Sequence, residues 1–366
     1  MSVMVSQEGV PTQDTWWARL RYDEPLAPHT TFHIGGPAEL FVVAESEEEL
    51  LTLARLAREQ EMDFLVLGGG SNILISDRGV RGLVILNRAS EFHFMFGGEV
   101  PISSTAGLRS SRSGQEAILS GPLAHPQVRS PAPGGTSARK DRHRECANAM
   151  VRLHAASGAF LSRLAGKAAR QGLGGLEWAV GIPGSLGGAI MQNAGAHDSC
   201  MADVVLQVKV LDQVGLVRTL GLEELAFGYR TSRFRRRGAE SPPEVILSAD
   251  LELSPWPQEE LEVRMADHIA QRRARQPWLP SAGSVFKNPP GDYAARLIEA
   301  AGLKGMRQGD AMIAPEHANF IVNVGNARAS DVKALIDRVR FEVAQRLGVD
   351  LELEIQLVGD WHGSCN

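Results

Sequence analysis

Gly181-Ile182-Pro183-Gly184-Ser185-Leu186-Gly187-Gly188-Ala189 decides how the rest of this chain is read. Its glycines let backbone approach something closely, because no Cβ stands in the way, and Pro183 stiffens the turn. Asn193-Ala194-Gly195-Ala196 extends the same small-residue surface. Another glycine loop, Gly68-Gly69-Gly70-Ser71-Asn72, the first in chain order, lies upstream between expected strands at Phe64–Leu67 and Ile73–Ile75. A dinucleotide fingerprint would follow a strand and open a helix. This loop opens no helix and lacks the lysine of a phosphate-binding P-loop. Its bare N–H groups still suit an anion nest. The alternative for Gly68–Asn72 is a hairpin turn, and for Gly181–Ala189 a glycine-rich packing corner. Two such loops in one chain suit a large cofactor with a pyrophosphate and a flat ring.

Outward from the loops, a short apolar strand is expected at Leu40–Val43. Ser46-x-x-Glu49 has the capping-box spacing, and it opens a helix with Leu50, Leu53, Ala54 and Ala57 on one face. The opening therefore reads β-α-β-loop-β, after a frayed terminus at residues 1–15. Residues 97–148 lose hydrophobic periodicity, and Ser130-Pro131-Ala132-Pro133-Gly134-Gly135 is dense in breakers. This stretch reads as a long flexible insertion, unusual inside a compact domain. Order resumes near Val151, with a helix from Ala159 to Gln171 that stacks Leu161, Leu164, Ala165 and Ala168 and ends at Gly172. Strands are expected at Val204–Leu211, Leu216–Leu220 and Val245–Leu253, and helices near 258–275, 292–301 and 331–347. The last helix has Ser330 as cap and Gly348 after it. The chain closes on an alternating strand, with Leu351, Leu353, Ile355 and Leu357 on one face and Glu352, Glu354 and Gln356 on the other.

A length of 366 residues suggests two or three domains, and 43% hydrophobic with 22% charged residues is enough for a real core. The net charge of -5 offers no basic excess to neutralise phosphates, so no nucleic-acid partner is expected. The runs Arg235-Arg236-Arg237 and Arg272-Arg273 are local, and each reads as a solvated face or a small anion site. Cys146, Cys200 and Cys365 lack C-x-x-C spacing, which argues against a disulfide framework or a zinc site. No metal is expected. The start shows no signal peptide, and no apolar run reaches the ~18 residues that span a bilayer. The expected address is the cytosol, with no membrane partner.

Three further motifs complete the reading: Phe227-Gly228-Tyr229-Arg230-Thr231-Ser232, Ser281-Ala282-Gly283-Ser284-Val285-Phe286-Lys287-Asn288-Pro289, and Leu351-Glu352-Leu353-Glu354-Ile355. With Thr31-Phe32-His33-Ile34-Gly35-Gly36 and the two glycine loops, they make the chain resemble the UDP-N-acetylenolpyruvoylglucosamine reductase family over roughly residues 28–96 and 151–360. The spelling of the serine motif, and Arg272, Arg273 and Arg275 before Gln276-Pro277, is similar to the shorter second class of that family. The resemblance implies an α+β fold: a two-lobed FAD-binding region of vanillyl-alcohol-oxidase (PCMH) type plus a C-terminal α+β substrate-binding domain. Residues 16–96 with strand 350–360 would form the first lobe, 149–253 the second, and 255–348 the substrate-binding domain. It implies non-covalent FAD, NADPH as co-substrate, and reduction of a UDP-sugar enol ether to UDP-N-acetylmuramate, a peptidoglycan precursor. A monomer is expected.

The resemblance also implies roles. Gly68, Gly69, Gly70, Ser71 and Asn72 would cradle the FAD pyrophosphate. Gly181, Ile182, Pro183, Gly184, Ser185, Gly187, Gly188 and Ala189 would run along the flavin and its phosphates. Ser284 would be the general acid, with Glu354 and Arg230 as the other catalytic groups. Tyr229, Arg272, Lys287, Asn288 and Arg307 would bind substrate. The chemistry gives Arg230 a reason. Hydride adds to the methylene carbon of the enol ether, and negative charge spreads into the neighbouring carboxylate. A guanidinium can hold a planar carboxylate by two hydrogen bonds and stabilise that charge. The chain departs from the family pattern where Leu353 replaces the usual proline and Gln356 a common arginine, and some members carry glutamine in place of Arg307. Two rival readings are an FAD-dependent oxidase of a sugar or hydroxy acid, and a UDP-sugar-binding module without flavin.

Overall fold

A computed structural model describes residues 18–96, 150–235 and 243–361 of the chain. The expected frayed terminus and the expected insertion at 97–148 lie outside the described residues. The first sheet runs Arg21–Pro25, Pro37–Ala44, Val80–Asn87, Phe64–Leu67, with its outer pair antiparallel and the rest parallel. The parallel geometry needs a crossover, and the helix Glu47–Glu59 supplies it. Leu50, Leu53, Ala54 and Ala57 are buried as the spacing predicts, together with Leu56. The capping box is only half made. Ser46 Oγ accepts the Glu49 N–H at 3.1 Å, but the Glu49 carboxylate accepts from the Glu45 N–H and from Arg19 instead. The charge-assisted partner outcompetes the neutral one.

The second sheet is antiparallel, in the order Val217–Gly221, Val205–Leu211, Val245–Pro255, Val151–Ala156, Phe92–Phe96. Phe96 pairs with Val151, so the chain leaves and re-enters the described residues at adjacent strand ends. One face of this sheet is covered by the helix Leu161–Arg170, which buries Leu161, Leu164, Ala165 and Ala168 and is followed by Gly172 at φ 65°. The first helix packs against Leu211, Val245 and Leu247 of this sheet, so the two sheets share a core.

The third sheet, Ser281–Ser284, Phe320–Asn323, Ala311–Ile313, Arg307–Gln308, is antiparallel. Helices Ala294–Ala300 and Ala329–Leu347 contribute the rest of its core. Ser330 is not the cap of the long helix but lies in its first turn. Asp77, just after Ile73–Ile75, accepts the Ala329 and Ser330 N–H groups at 2.7 and 3.0 Å, and Asp331 accepts that of Arg328 at 3.0 Å. Carboxylates are the stronger acceptors at a helix N-terminus. Gly348 ends this helix at φ 68°.

The closing strand is shorter than its alternation suggests. Gln356–Val358 runs parallel to Ile73–Ile75, while the residues before it pair antiparallel with a different segment around Leu353 and Phe286. Leu351 and Ile355 sink into the third core. Phe32, from the segment before the first loop, lies fully buried in the same core. Burying such a side chain contributes roughly 1.5–3 kcal/mol, and here it fastens the segment before the first glycine loop to the third sheet.

Candidate active site

The two glycine loops meet face to face. A Cβ on Gly69 would sit 2.6 Å from the Gly184 Cα, and one on Gly70, at φ +60°, 2.1 Å from the His29 carbonyl oxygen. Ser71 Oγ donates to the Pro183 carbonyl at 3.1 Å. The strands flanking the first loop pair with other strands and not with each other, so the loop is no hairpin turn. The second loop ends at Ser185, whose Oγ accepts from Gly188 N at the start of the helix Leu186–Gln192. Together the loops line a cleft of about 410 Å³, which is also lined by Arg230, Arg272, Gly283, Ser284 and Glu354.

Thr31 joins the first loop to the serine strand. Its N–H donates to the Gly70 carbonyl at 3.0 Å, its hydroxyl to the Ser281 carbonyl at 2.7 Å, and its own carbonyl accepts the Ser281 N–H at 3.2 Å. The ladder between Ser281–Ser284 and Phe320–Asn323 shifts register before Ser284, with Gly283 at φ 78°. Such a bulge re-aims a side chain, here Ser284 into the cleft. Beyond it the chain pairs with the glutamate segment. Glu354 N–H donates to the Val285 carbonyl and Lys287 N–H to the Glu352 carbonyl, both at 2.8 Å, around an antiparallel bridge of Phe286 with Leu353. One short ladder thus carries both Ser284 and Glu354 to the cleft.

Arg230 arrives on a tight turn closed by mutual hydrogen bonds of Gly228 and Thr231 at 3.0 and 3.3 Å. It holds φ at 51°, a conformation costly for a non-glycine residue. Its Nε lies 3.1 Å from Glu354 Oε1. The same Nε has no well-directed hydrogen bond, so the contact is an ion pair with donor capacity to spare. The Glu354 side chain is 14% exposed. Burial pushes its carboxyl above the usual range, partly offset by Arg230, Arg235 and Lys287.

Comparison with known proteins settles the kinship. Residues 274–358 match the family model of the UDP-N-acetylenolpyruvoylglucosamine reductase C-terminal domain, and residues 137–221 match that of an FAD binding domain. The chain is 40% identical to UDP-N-acetylenolpyruvoylglucosamine reductase 2 of Symbiobacterium thermophilum, over 93% of this chain and 92% of the relative. Identity to the reductase of Moorella thermoacetica is also 40%, over 92% and 93%. The chain belongs to the UDP-N-acetylenolpyruvoylglucosamine reductase family. A crystal structure of the Thermus caldophilus reductase superposes with TM-score 0.64 at 34% identity, covering 92% of this chain and 97% of that one. The chain is therefore an FAD-binding oxidoreductase of α+β fold. None of the helices among the described residues is long and apolar enough to cross a membrane.

The residues present fit the flavin nucleotide that this reductase family uses. Bare backbone at Gly69 and Gly184 leaves a wall that a side chain would fill. Arg272 lines the cleft with its Cδ 3.5 Å from where a Gly181 Cβ would be. Burial alone pulls its pKa down, and no carboxylate among the described residues offsets that. A half-buried cation without a protein anion suits a diphosphate.

Of the other residues read as substrate ligands, Lys287 pairs with Glu352 and lies within electrostatic reach of Glu354. Asn288 accepts the Ala294 N–H at 3.1 Å, at the start of the helix Ala294–Ala300. Tyr229 is 51% exposed, and the exposed Arg307 lies on the outer strand of the third sheet. None of these four lines the cleft. Reading the sequence missed two struts. Asn193 ends the helix Leu186–Gln192 at φ 46° and donates to the Gly228 carbonyl at 3.0 Å, and the buried Ser232 donates to the Met191 carbonyl at 2.6 Å. Both fix the Arg230 turn to the second loop. A lone asparagine just after a helix was the available signal. Asn72, read as a cofactor residue, also donates to the Glu354 carbonyl at 3.0 Å.

Proposed function

We propose that this enzyme reduces UDP-N-acetylenolpyruvoylglucosamine to UDP-N-acetylmuramate, with NADPH as reductant and non-covalent FAD as carrier. The observation that carries this reading is the convergence of Ser284, Glu354 and Arg230 on the cleft formed by the two glycine loops. FAD, when bound and reduced, supplies the hydride for the methylene carbon of the enol ether. The chain's own groups handle charge and proton. Arg230 holds the substrate carboxylate, into which the developing negative charge spreads. Ser284 Oγ donates its proton to the carbon next to that carboxylate. A serine hydroxyl is a weak acid, and it serves here because the carbanion is strongly basic. Glu354 orients Arg230 through Oε1 and, with a proton affinity raised by burial, can hold a proton on its other carboxyl oxygen. Gly68, Gly69, Gly70 and Ser71 would face the FAD pyrophosphate, and Gly181 to Ala189 the flavin side. Arg272 is assigned to a diphosphate at the same wall. Tyr229, Lys287, Asn288 and Arg307 are assigned to the substrate by the family resemblance alone, since they lie outside the cleft wall. A cytosolic monomer is part of this reading.

The test is anaerobic. FAD-loaded protein is bleached with one equivalent of NADPH and then mixed with the enolpyruvyl UDP-sugar. Recovery of the visible flavin absorbance, with UDP-N-acetylmuramate formed, is the expected result. Recovery only on admitting oxygen would replace this reading with an oxidase.

A further inference from the structure

Two arginines of one segment grip Glu354 from opposite ends. Arg230 meets its carboxylate at 3.1 Å. Arg235, five residues on, donates from Nη2 to the Glu354 carbonyl at 2.6 Å and to the Leu353 carbonyl at 3.3 Å. The Glu354 carbonyl also accepts from Asn72 Nδ2. Arg235 belongs to the run that reads from sequence as a solvated face or a small anion site, yet it is half-buried, and its Nη1 is enclosed with no partner among the described residues. Keeping a desolvated cation there is unfavourable unless its charge or its donors are needed. The segment between the two arginines is stiff. Ser232 is anchored on Met191, the Arg235 N–H donates to the Ser232 carbonyl at 3.1 Å, and Arg233 makes a two-point contact with Glu244 at 3.1 and 3.2 Å.

We infer that Arg235 is a positioning residue for the proton chemistry at Glu354: it fixes the main chain of 353–354 so that the carboxylate meets Arg230 and the substrate. This rests on the role proposed for Glu354. The charged groups facing Glu354 are Arg230, Arg235 from the same segment, and Lys287 from the serine strand's extension, with Glu352 next to Lys287 on its own segment. Removing Arg235 takes away one of three cations that restrain the proton affinity of Glu354. A pH limb governed by Glu354 therefore moves to higher pH, whichever of its forms is active.

The experiment follows both half-reactions by anaerobic stopped flow, across pH, in FAD-loaded Arg235→Met, Arg235→Gln and Arg235→Lys, with Glu354→Gln alongside and melting temperature and flavin content recorded. Arg235→Met should leave flavin reduction by NADPH within about twofold. It should slow reoxidation by the enolpyruvyl substrate about 10- to 100-fold, the scale of a lost charge-assisted hydrogen bond, and move its limb to higher pH. Arg235→Lys keeps the charge and should hold the limb in place. Arg235→Gln keeps a donor, so it should shift the limb with a smaller loss of rate, and it tests the idea even if the methionine variant folds poorly. A wild-type limb and rate in both Arg235→Met and Arg235→Gln, with Glu354→Gln crippled in reoxidation, would overturn the inference while sparing the reading of Glu354. Equal slowing of both half-reactions in step with flavin loss would make Arg235 merely structural and also overturn it. A normal Glu354→Gln would remove the reading itself, and the inference with it.

Discussion

At the Gly69–Gly184 contact the cleft wall is bare backbone, whereas around Glu354 it is a cluster of charged side chains from three separate segments: Arg230 and Arg235, Lys287, and Glu354 itself. The first region works by what is missing. Any Cβ would separate the loops, so the site is written in glycine positions. The second works by side chains that must be brought together, and main-chain ladders and struts do the positioning. Damage to the two regions should therefore appear in different steps. Changes in the backbone wall should cost cofactor, and changes in the charged cluster should cost only the step that uses the enolpyruvyl substrate.

Gly70→Ala should break the first region most severely. It places an L-residue at φ +60° and a Cβ against the His29 carbonyl, adding backbone strain of roughly 1–3 kcal/mol to overpacking of about the same size. FAD affinity should fall about 100-fold or more, measured by flavin fluorescence titration, while the remaining holoprotein turns over normally per flavin. Full flavin content in this variant would mean that the loop packs the fold without facing the cofactor. Arg230→Met tests the other region with a smaller effect. Flavin content and flavin reduction should be unchanged, and reoxidation by substrate should slow about 10- to 100-fold. Flavin loss instead would move this arginine to the cofactor wall.

The smallest effect concerns the margin of the cofactor wall. His197 and His268 stack with ring centroids 3.8 Å apart, and Ala196, next to His197, lines the cleft. Burial lowers both pKa values from the usual 6.5. For His197, His268 and Arg272 push further in that direction, while for His268 the acids Glu177 and Asp267 pull back. A depressed folded pKa means that the unfolded chain takes up protons first as pH falls. Stability from this pair is fully present above the ordinary histidine value and is lost as pH drops through the depressed one. The melting temperature should therefore fall modestly between about pH 7.5 and 5.5, with flavin released earlier in acid. His197→Asn, tolerated at φ 51°, should flatten that slope. An unchanged slope would take the pair out of the acid response.

How far the sequence could be read follows the same division. The loops were legible because glycine positions reflect backbone needs, although which glycine touches which depends on a contact 115 residues apart in the chain, between Gly69 and Gly184. The helix Gln258–Arg275 and the left-handed ends at Gly172 and Gly348 follow local rules and match their spacing. Ser284, Glu354 and Arg230 stood out only through resemblance, because the ladder joining Val285–Lys287 to Glu352–Glu354 has no local signature. The closing segment misled for that reason: its alternation suggests one strand, but its donors are divided between Val285 and Asn72. Arg235 misled because a run of arginines usually marks solvent, while here main-chain carbonyls bring one of them inside. Ser330 misled because Asp77, distant in sequence, took over the helix end.

On the proposed reading, the cleft divides its labour, with Ser284 as the acid of the second half-reaction. Stopped-flow absorbance on FAD-loaded Ser284→Ala tests it most directly, because bleaching by NADPH and recovery with the enolpyruvyl substrate are read separately. Bleaching at the wild-type rate is expected, with recovery slowed about 10²- to 10⁴-fold, the usual cost of removing a positioned acid. Equal slowing of both phases, or a normal recovery, would contradict it.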